Sequence, residues 1–458
     1  MKAQSYTTTP DLKTPFAQTT SSSHKLRTIQ ESENYLFVNP SSVRHEIIGI
    51  GGAITDASAV VYDGCSSEMK AKIMQAYFDP EYGLGYSVVR TTVHSCDFSP
   101  ESYCYVKEGD KELKSFSIEH DLQYRIPMIQ DAIATARHNL MIYASPRSPP
   151  AWMKTNKSLY QGGSLLPKYH DTRAQYLLRF IQEYEKVGIN LRGLTIQNEA
   201  AASQRRESCL YTAQEEIVFA LEHLRPVLDQ AGYENLKLIG RDHNRDYMYQ
   251  RAIAYQEYLD THPELPVNAL RGIGYHRYET RSNSKELYPT ISDMARDFPE
   301  FALVFTEGCQ EGFDAKRLYD RSIGRRYSAS LIRDLQQGTC LRTDWNIVLD
   351  MNGGPNHADN KCFAPLHVFP EYDIIHFTPS YYHIGHISRW VTPESHIIGI
   401  NASKSHLISL AAQRPDGKIV IVVSNKEDIS HEYHIVLDQE VITLTIPPLA
   451  IQTTVIEF

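Results

Sequence analysis

From about residue 45 onward, apolar residues cluster in short runs separated by longer amphipathic stretches. Eight β-rich runs read as strands, at 47–55, 86–93, 140–145, 191–197, 236–240, 273–278, 302–306 and 345–350. Helical patterns lie between many of them. One begins at Thr172 and sets Tyr176, Leu177, Phe180, Ile181, Tyr184 and Val187 on one face, the i, i+4, i+8 spacing of an amphipathic helix. Another opens with Thr212-Ala213-Gln214-Glu215, whose first and last side chains can cap each other's backbone N–H. It continues through Ile217, Leu221, Leu224 and Leu228 and stops at Gly232, a residue suited to end a helix. Eight strands alternating with helices predict an α/β fold, a (β/α)8 TIM barrel over residues 46–388. The competing arrangement is an open doubly wound sheet. Against it, Gly49-Ile50-Gly51-Gly52 lacks the GxGxxG turn that a dinucleotide fold needs.

After about residue 390 the pattern changes. Short strands are predicted at 396–400, 406–411, 418–424, 433–437 and 441–446, with turn signals such as Pro415-Asp416-Gly417 and no helix between them. This reads as an attached β-sandwich over residues 389–458. Residues 26–45 also look extended and are expected to join it. Residues 1–25 are rich in Ser, Thr and Gln and read as a flexible tail. They have no apolar h-region of a classical signal peptide. The expectation is therefore a cytoplasmic protein, or one exported by a non-classical route. No stretch is long and apolar enough to predict a transmembrane segment.

Bulk properties narrow the function. A length of 458 residues suits a large barrel plus a small domain. The net charge of −9 argues against a nucleic-acid partner. The seven cysteines are odd in number and contain no CxxC pair, which predicts free thiols rather than a disulfide scaffold or a zinc site. Cys309 reads as a small residue packed behind a strand. Arg205-Arg206 reads as a solvated basic pair.

In a barrel of this kind, functional residues sit at the C-terminal ends of strands. Glu199 closes the fourth run and Glu307 the seventh. Two carboxylates facing each other are the minimal equipment for cleaving a glycosidic bond. One must be protonated while the other is ionised, and their surroundings set that difference. Asn198 beside the first carboxylate suits a hydrogen bond to a sugar 2-OH. Arg90 lies within the second run and Asp97 follows it. His276 is in the sixth run, and Asp344, Trp345 and Asn346 open the eighth. Trp345 is placed to stack on a pyranose.

These segments resemble glycoside hydrolase family 30, in its glucosylceramidase branch, from about residue 45 to the C-terminus. The resemblance rests on Ile50-Gly51-Gly52-Ala53-Ile54-Thr55-Asp56-Ala57, Ser95-Cys96-Asp97-Phe98-Ser99, Trp152-Met153-Lys154-Thr155-Asn156, Gln197-Asn198-Glu199, Phe305-Thr306-Glu307, Thr343-Asp344-Trp345-Asn346 and Gly353-Gly354-Pro355-Asn356. It implies that Glu199 is the acid/base and Glu307 the nucleophile of a retaining β-glycosidase that needs no metal or cofactor. The implied partner is a glycoside or glycolipid, such as glucosylceramide, met at a membrane surface. Asp97 and Trp345 would hold glycone hydroxyls, and Arg90 and Asn198 would support the glutamates. His276 and Tyr278 would line the site, and Asn360 would contact the sugar.

The chain departs from the family pattern at several places. Arg147, Arg277 and Arg342 stand where aromatic residues are usual, Ala200 stands for a proline and His357 for a tryptophan. Arginine grips anions bidentately. Two readings stand: the three arginines pair with local carboxylates and only reshape the cleft, or they ring the mouth and favour an acidic or modified glycoside. The alternative to an enzyme is a carbohydrate-binding pseudoenzyme.

Overall fold

The computed structural model describes residues 1–265, 269–278 and 286–458. Eight strands close a barrel: β1 (Gly49–Ala53), β2 (Val88–Val93), β3 (Met141–Pro146), β4 (Leu191–Thr195), β5 (Lys237–Asn244), β6 (Gly272–His276), β7 (Ala302–Glu307) and β8 (Thr339–Asn346). Every neighbouring pair is parallel, and β8 returns to pair with β1. The strands are buried along nearly their whole length. This follows from a sheet with helices outside and packed side chains inside, and it explains why the runs are apolar rather than alternating. Closure is tight at Gly51, where a Cβ would lie 1.7 Å from the Val88 carbonyl oxygen.

The helix predicted from Thr172 spans His170–Lys186, and Tyr176, Leu177, Phe180, Ile181 and Tyr184 are buried against the barrel. At Thr212 the reciprocal cap is present. The Thr212 hydroxyl accepts from the Glu215 N–H at 3.1 Å, and the Glu215 carboxylate accepts from the Thr212 N–H at 2.7 Å. The helix that follows widens into a π-turn over Phe219–Leu224, next to Pro226, which cannot donate to the turn before it.

The eighth strand is displaced from its predicted place. Thr339–Asn346 forms β8, so Asp344, Trp345 and Asn346 end the strand rather than open it. Val348–Asp350 belongs to a separate three-stranded sheet. A central arginine hid the strand in the sequence. Arg342 is fully buried because Asp334, on the helix Arg321–Gln336, pairs with it.

Ten further strands hydrogen-bond in one continuous sheet that folds over as the β-sandwich. Strand Ile419–Asn425 shows how it joins the barrel. Ile419, Ile421 and Val423 face the sandwich core with Leu36, Val38, Ile398 and Ile435. Val420 and Val422 pack into the barrel's own core. The period of two thus divides one strand between two cores.

Residues 1–25 are not a flexible tail. Lys2–Thr8 pairs with Ala17–Ser22 on one side and with Ile451–Glu457 on the other. Ala3, Ser5 and Thr8 are buried. Small and hydroxyl side chains suffice here, since the ladder to Ile451–Glu457 covers them and the Ser5 and Thr454 hydroxyls bond each other at 2.9 Å. Tyr35–Glu46 also pairs within this sheet. All seven cysteines are free thiols. Among the described residues, no helix is long and apolar enough to cross a membrane.

Candidate active site

The C-terminal ends of the barrel strands surround a cavity of about 580 Å³, lined among others by Asp97, Glu199, Arg206, Tyr278, Glu307 and Trp345. A hollow of about 870 Å³ at the opposite end of the barrel includes none of these residues. At the mouth the backbone leaves the strands abruptly. His94, Glu199 and Asp242 have φ of 51°, 49° and 45°, in a region that side chains other than glycine's enter at a cost. The Glu199 N–H donates to the Asp242 carbonyl at 2.8 Å and so holds its turn in place.

Glu307, at the end of β7, is gripped from three sides. Its Oε2 accepts from Arg90 Nη1 at 2.5 Å and from Arg147 Nη2 at 2.7 Å, and its Oε1 accepts from the Tyr278 hydroxyl at 3.0 Å. Burial raises its pKa, but Arg147, His276 and Arg90 outweigh this and hold it at about 2. Arg90 also donates to Asn198 Oδ1 at 2.9 Å and to Asp242 Oδ2 at 3.1 Å. One guanidinium therefore ties the nucleophile candidate to the residue beside Glu199. Arg147 also lies over the Trp345 ring at 4.5 Å, so one face of that ring carries a cation.

Glu199 faces a different set. Its Oε2 accepts from Gln204 Nε2 at 3.0 Å and from Arg206 Nη2 at 3.3 Å, and its Oε1 lies 3.5 Å from His276 Nδ1. Burial raises its pKa, but His276, Arg206 and His243 together draw it well below the ordinary carboxylate value. His276 is held by Asp242 Oδ1 at 2.9 Å from its Nε2. Burial lowers the His276 pKa, yet Glu307, Asp242 and Glu199 raise it overall. The surroundings of both glutamates therefore favour the anion, and those of His276 favour its protonated form. One donor atom each of Glu199, His243 and His276 also falls within 4.8 Å of the others. Among the described residues, this is the nearest approach to a metal-ligand set at the mouth.

Asp97 sits across the cavity. Its Oδ2 accepts from Asn360 Nδ2 at 2.7 Å and forms an ion pair with Arg206, whose Nε lies 3.2 Å away. Its Oδ1, and the Oδ1 of Asn360, are buried without a hydrogen-bond partner, an arrangement suited to hydroxyl groups of a ligand.

The structure gathers Arg90, Asp97, Arg147, Asn198, Glu199, His276, Tyr278, Glu307, Trp345 and Asn360 at this mouth. It does not gather all three arginines. Arg342 points outward from β8, pairs with Asp334, and stacks on Phe305 at 3.7 Å. Arg277 lies over Tyr327 at 4.4 Å, outside the cavity lining. Each guanidinium packs on an aromatic ring, and neither lines this cavity. Arg147 alone reaches Glu307.

Four residues at the mouth went unread in the sequence: Gln204, Arg206, Asp242 and His243. Asp242 and His243 lie in β5, which runs past Gly240 to Asn244. Polar residues at the end of a barrel strand are the expected place for chemistry, but the sequence pattern ends this strand at Gly240 and so hides them. Arg206 is not a solvated partner of Arg205. Arg205 is exposed, whereas Arg206 is half-buried on two carboxylates.

Comparison with known proteins agrees with this geometry. Residues 47–391 match the glycosyl hydrolase family 30 TIM-barrel domain, and residues 394–454 match the glycosyl hydrolase family 30 beta sandwich domain. Lysosomal acid glucosylceramidase of Mus musculus is 30% identical, with 86% of this chain and 78% of that protein covered. Putative glucosylceramidase 4 of Caenorhabditis elegans is 29% identical, with 88% of this chain and 79% of that protein covered. The crystal structure of SrfJ from Salmonella typhimurium superimposes with a TM-score of 0.93 at 28% identity, covering 100% of both chains. The chain belongs to glycosyl hydrolase family 30 and is a glycoside hydrolase.

Proposed function

We propose that this protein is a retaining β-glycosidase acting on a β-linked glucoside, glucosylceramide or a related glycolipid. The observation that carries this reading is the pair of buried carboxylates, Glu199 and Glu307, that line one cavity at the C-terminal ends of the barrel strands. Glu307 is fixed as an anion by Arg90 and Arg147. Glu199, on the same cavity, lies 3.5 Å from His276 Nδ1 and accepts from Gln204 and Arg206. In the first step Glu307 attacks the anomeric carbon, the bond to the leaving oxygen breaks, and Glu199 gives that oxygen its proton. In the second, water attacks the glycosyl ester, Glu199 takes the water's proton, and Glu307 leaves as a carboxylate. The free acceptors on Asp97 and Asn360 and the cavity-lining side of Trp345 would hold the glycone.

The glucosylceramide assignment draws on the names of the mouse and nematode relatives. Relatives named endo-1,6-β-D-glucanases, at 24% identity or less, make a β-1,6-linked gluco-oligosaccharide the fair competitor in a test. The decisive panel contains a fluorogenic β-glucoside, glucosylceramide in mixed micelles, that oligosaccharide and a β-glucuronide, with Glu307→Gln as control. The reading requires turnover of a β-glucoside that the control abolishes. Binding without turnover of any substrate would point instead to a pseudoenzyme.

A further inference from the structure

Under the glycosidase reading, Glu199 must carry a proton when a glycoside arrives, yet its surroundings favour the anion. Gln204 and Arg206 donate to Oε2, and His276 faces Oε1. N–H donors on a carboxylate favour its ionised form. The other charged groups around Glu199 are His243, Glu307, Arg147, Asp97 and Glu311. Of the cations, Arg206 differs in where it comes from. It lies on the irregular loop between β4 and the helix that begins at Ala213. Its side chain is 21% exposed, against 5% for each carboxylate it holds. Arg206 can swing into water, while Asp97 and Glu199 cannot.

Its two contacts are also the ones a sugar would contest. Arg206 Nε occupies Asp97 Oδ2, beside the unpartnered Oδ1. A first glycone hydroxyl can land on Oδ1. A second reaches Oδ2 only as Arg206 gives way. We propose that Arg206 is a displaceable positioning residue: it bridges Asp97 and Glu199 in the empty cavity, and a glycone that takes Asp97 releases it from Glu199, so that sugar entry and protonation of the acid are coupled. The coupling is reciprocal, since a proton on Glu199 also loosens Arg206 and frees Asp97 for the sugar. Arg206 thereby rejects ligands that cannot supply the two hydroxyls.

This inference rests on the glycosidase reading, and two arms separate their failures. The first is the pH dependence of kcat/KM for wild type, Arg206→Gln and Arg206→Lys on the best substrate of the panel. The protonated acid governs the basic limb. In R206Q that limb should move up by about one pH unit, KM should fall, and the acidic limb, set by Glu307, should stay. R206K, which keeps the charge, should stay near wild type. A basic limb in R206Q that coincides with wild type overturns the proposal. So does a several-fold rise in KM with the limb unmoved, which would make Arg206 a substrate ligand.

The second arm needs no turnover. Carboxyl-¹³C glutamate labelling, with the Glu199 resonance assigned by its loss in Glu199→Gln, gives the titration midpoint in the sugar-free protein. It should be higher in R206Q than in wild type. If that midpoint moves and no glycoside is hydrolysed, the glycosidase reading fails and the Arg206 contact stands. If glycosides are hydrolysed and neither midpoint nor limb moves, the inference fails and the reading stands.

Discussion

Replacing Arg147 with glutamine removes one of the two guanidinium groups on Glu307 Oε2 while preserving much of the side chain's volume. Arg147 is the strongest of the influences that oppose burial at this carboxyl. The Glu307 pKa is held at about 2, against an ordinary value of 4.5. At about 1.4 kcal/mol per unit, that difference favours the anion by about 3 kcal/mol. Arg90 and His276 remain in the variant, so we expect part of the depression to be lost and the Glu307 pKa to rise toward its ordinary value. Glu307 must be ionised to attack, so its pKa sets the acidic limb of kcat/KM. In R147Q that limb moves upward by about one to two pH units, and the variant loses activity at acidic pH where wild type retains it.

Stability shifts in step. A carboxyl depressed in the folded state stabilises fully above its unfolded pKa near 4.5, and loses that contribution as pH falls toward about 2. R147Q therefore has a smaller stability advantage above pH 4.5, and less of it remains to be lost on acidification. The assay is initial-rate kcat/KM across the acidic range, paired with urea unfolding at each pH. An acidic limb in R147Q that superimposes on wild type would refute the assignment of Arg147 as the cation that fixes Glu307.

Further outcomes follow from other parts of the molecule. Glu199→Gln should slow glycosides with poor leaving groups by about 10²–10⁴-fold and slow the first step of activated aryl glycosides far less; equal losses on both would remove Glu199 from the role of acid. Asp334→Asn takes away the buried charge shared by Arg245 and Arg342, and urea unfolding should show a loss of about 3–5 kcal/mol with KM unchanged in the folded fraction. Deleting residues 1–22 strips both added strands from Ile451–Glu457, so the thermal midpoint should drop by several degrees, whereas a loose tail would leave it unmoved.

Much of the barrel was legible because its signals are local. Period-two and period-3.6 patterns and the Thr212 cap each depend on residues close in sequence. What stayed hidden was long-range compensation. Arg342 could be read toward the mouth or toward a local carboxylate, and the fold decides for the second, since Asp334, 8 positions before it, pairs with it inside the wall of the barrel. The strand Lys2–Thr8 looked like a tail, because its burial is supplied by Ile451–Glu457 at the far end of the chain. Glu199 and Glu307 were readable from strand-end position. Asp242 was not, although it holds Arg90, His276 and Thr306 together. Its strand turns polar at Arg241, and a polar run resembles a loop until the sheet is assembled.

The central claim is double displacement by Glu307 with Glu199 as acid/base. The most direct test is ¹H NMR of the anomeric proton released in the first minutes of hydrolysis of the best β-glucoside, before mutarotation mixes the signals. The account predicts that the β-anomer appears first. First appearance of the α-anomer would mean inversion by a single displacement and would contradict it.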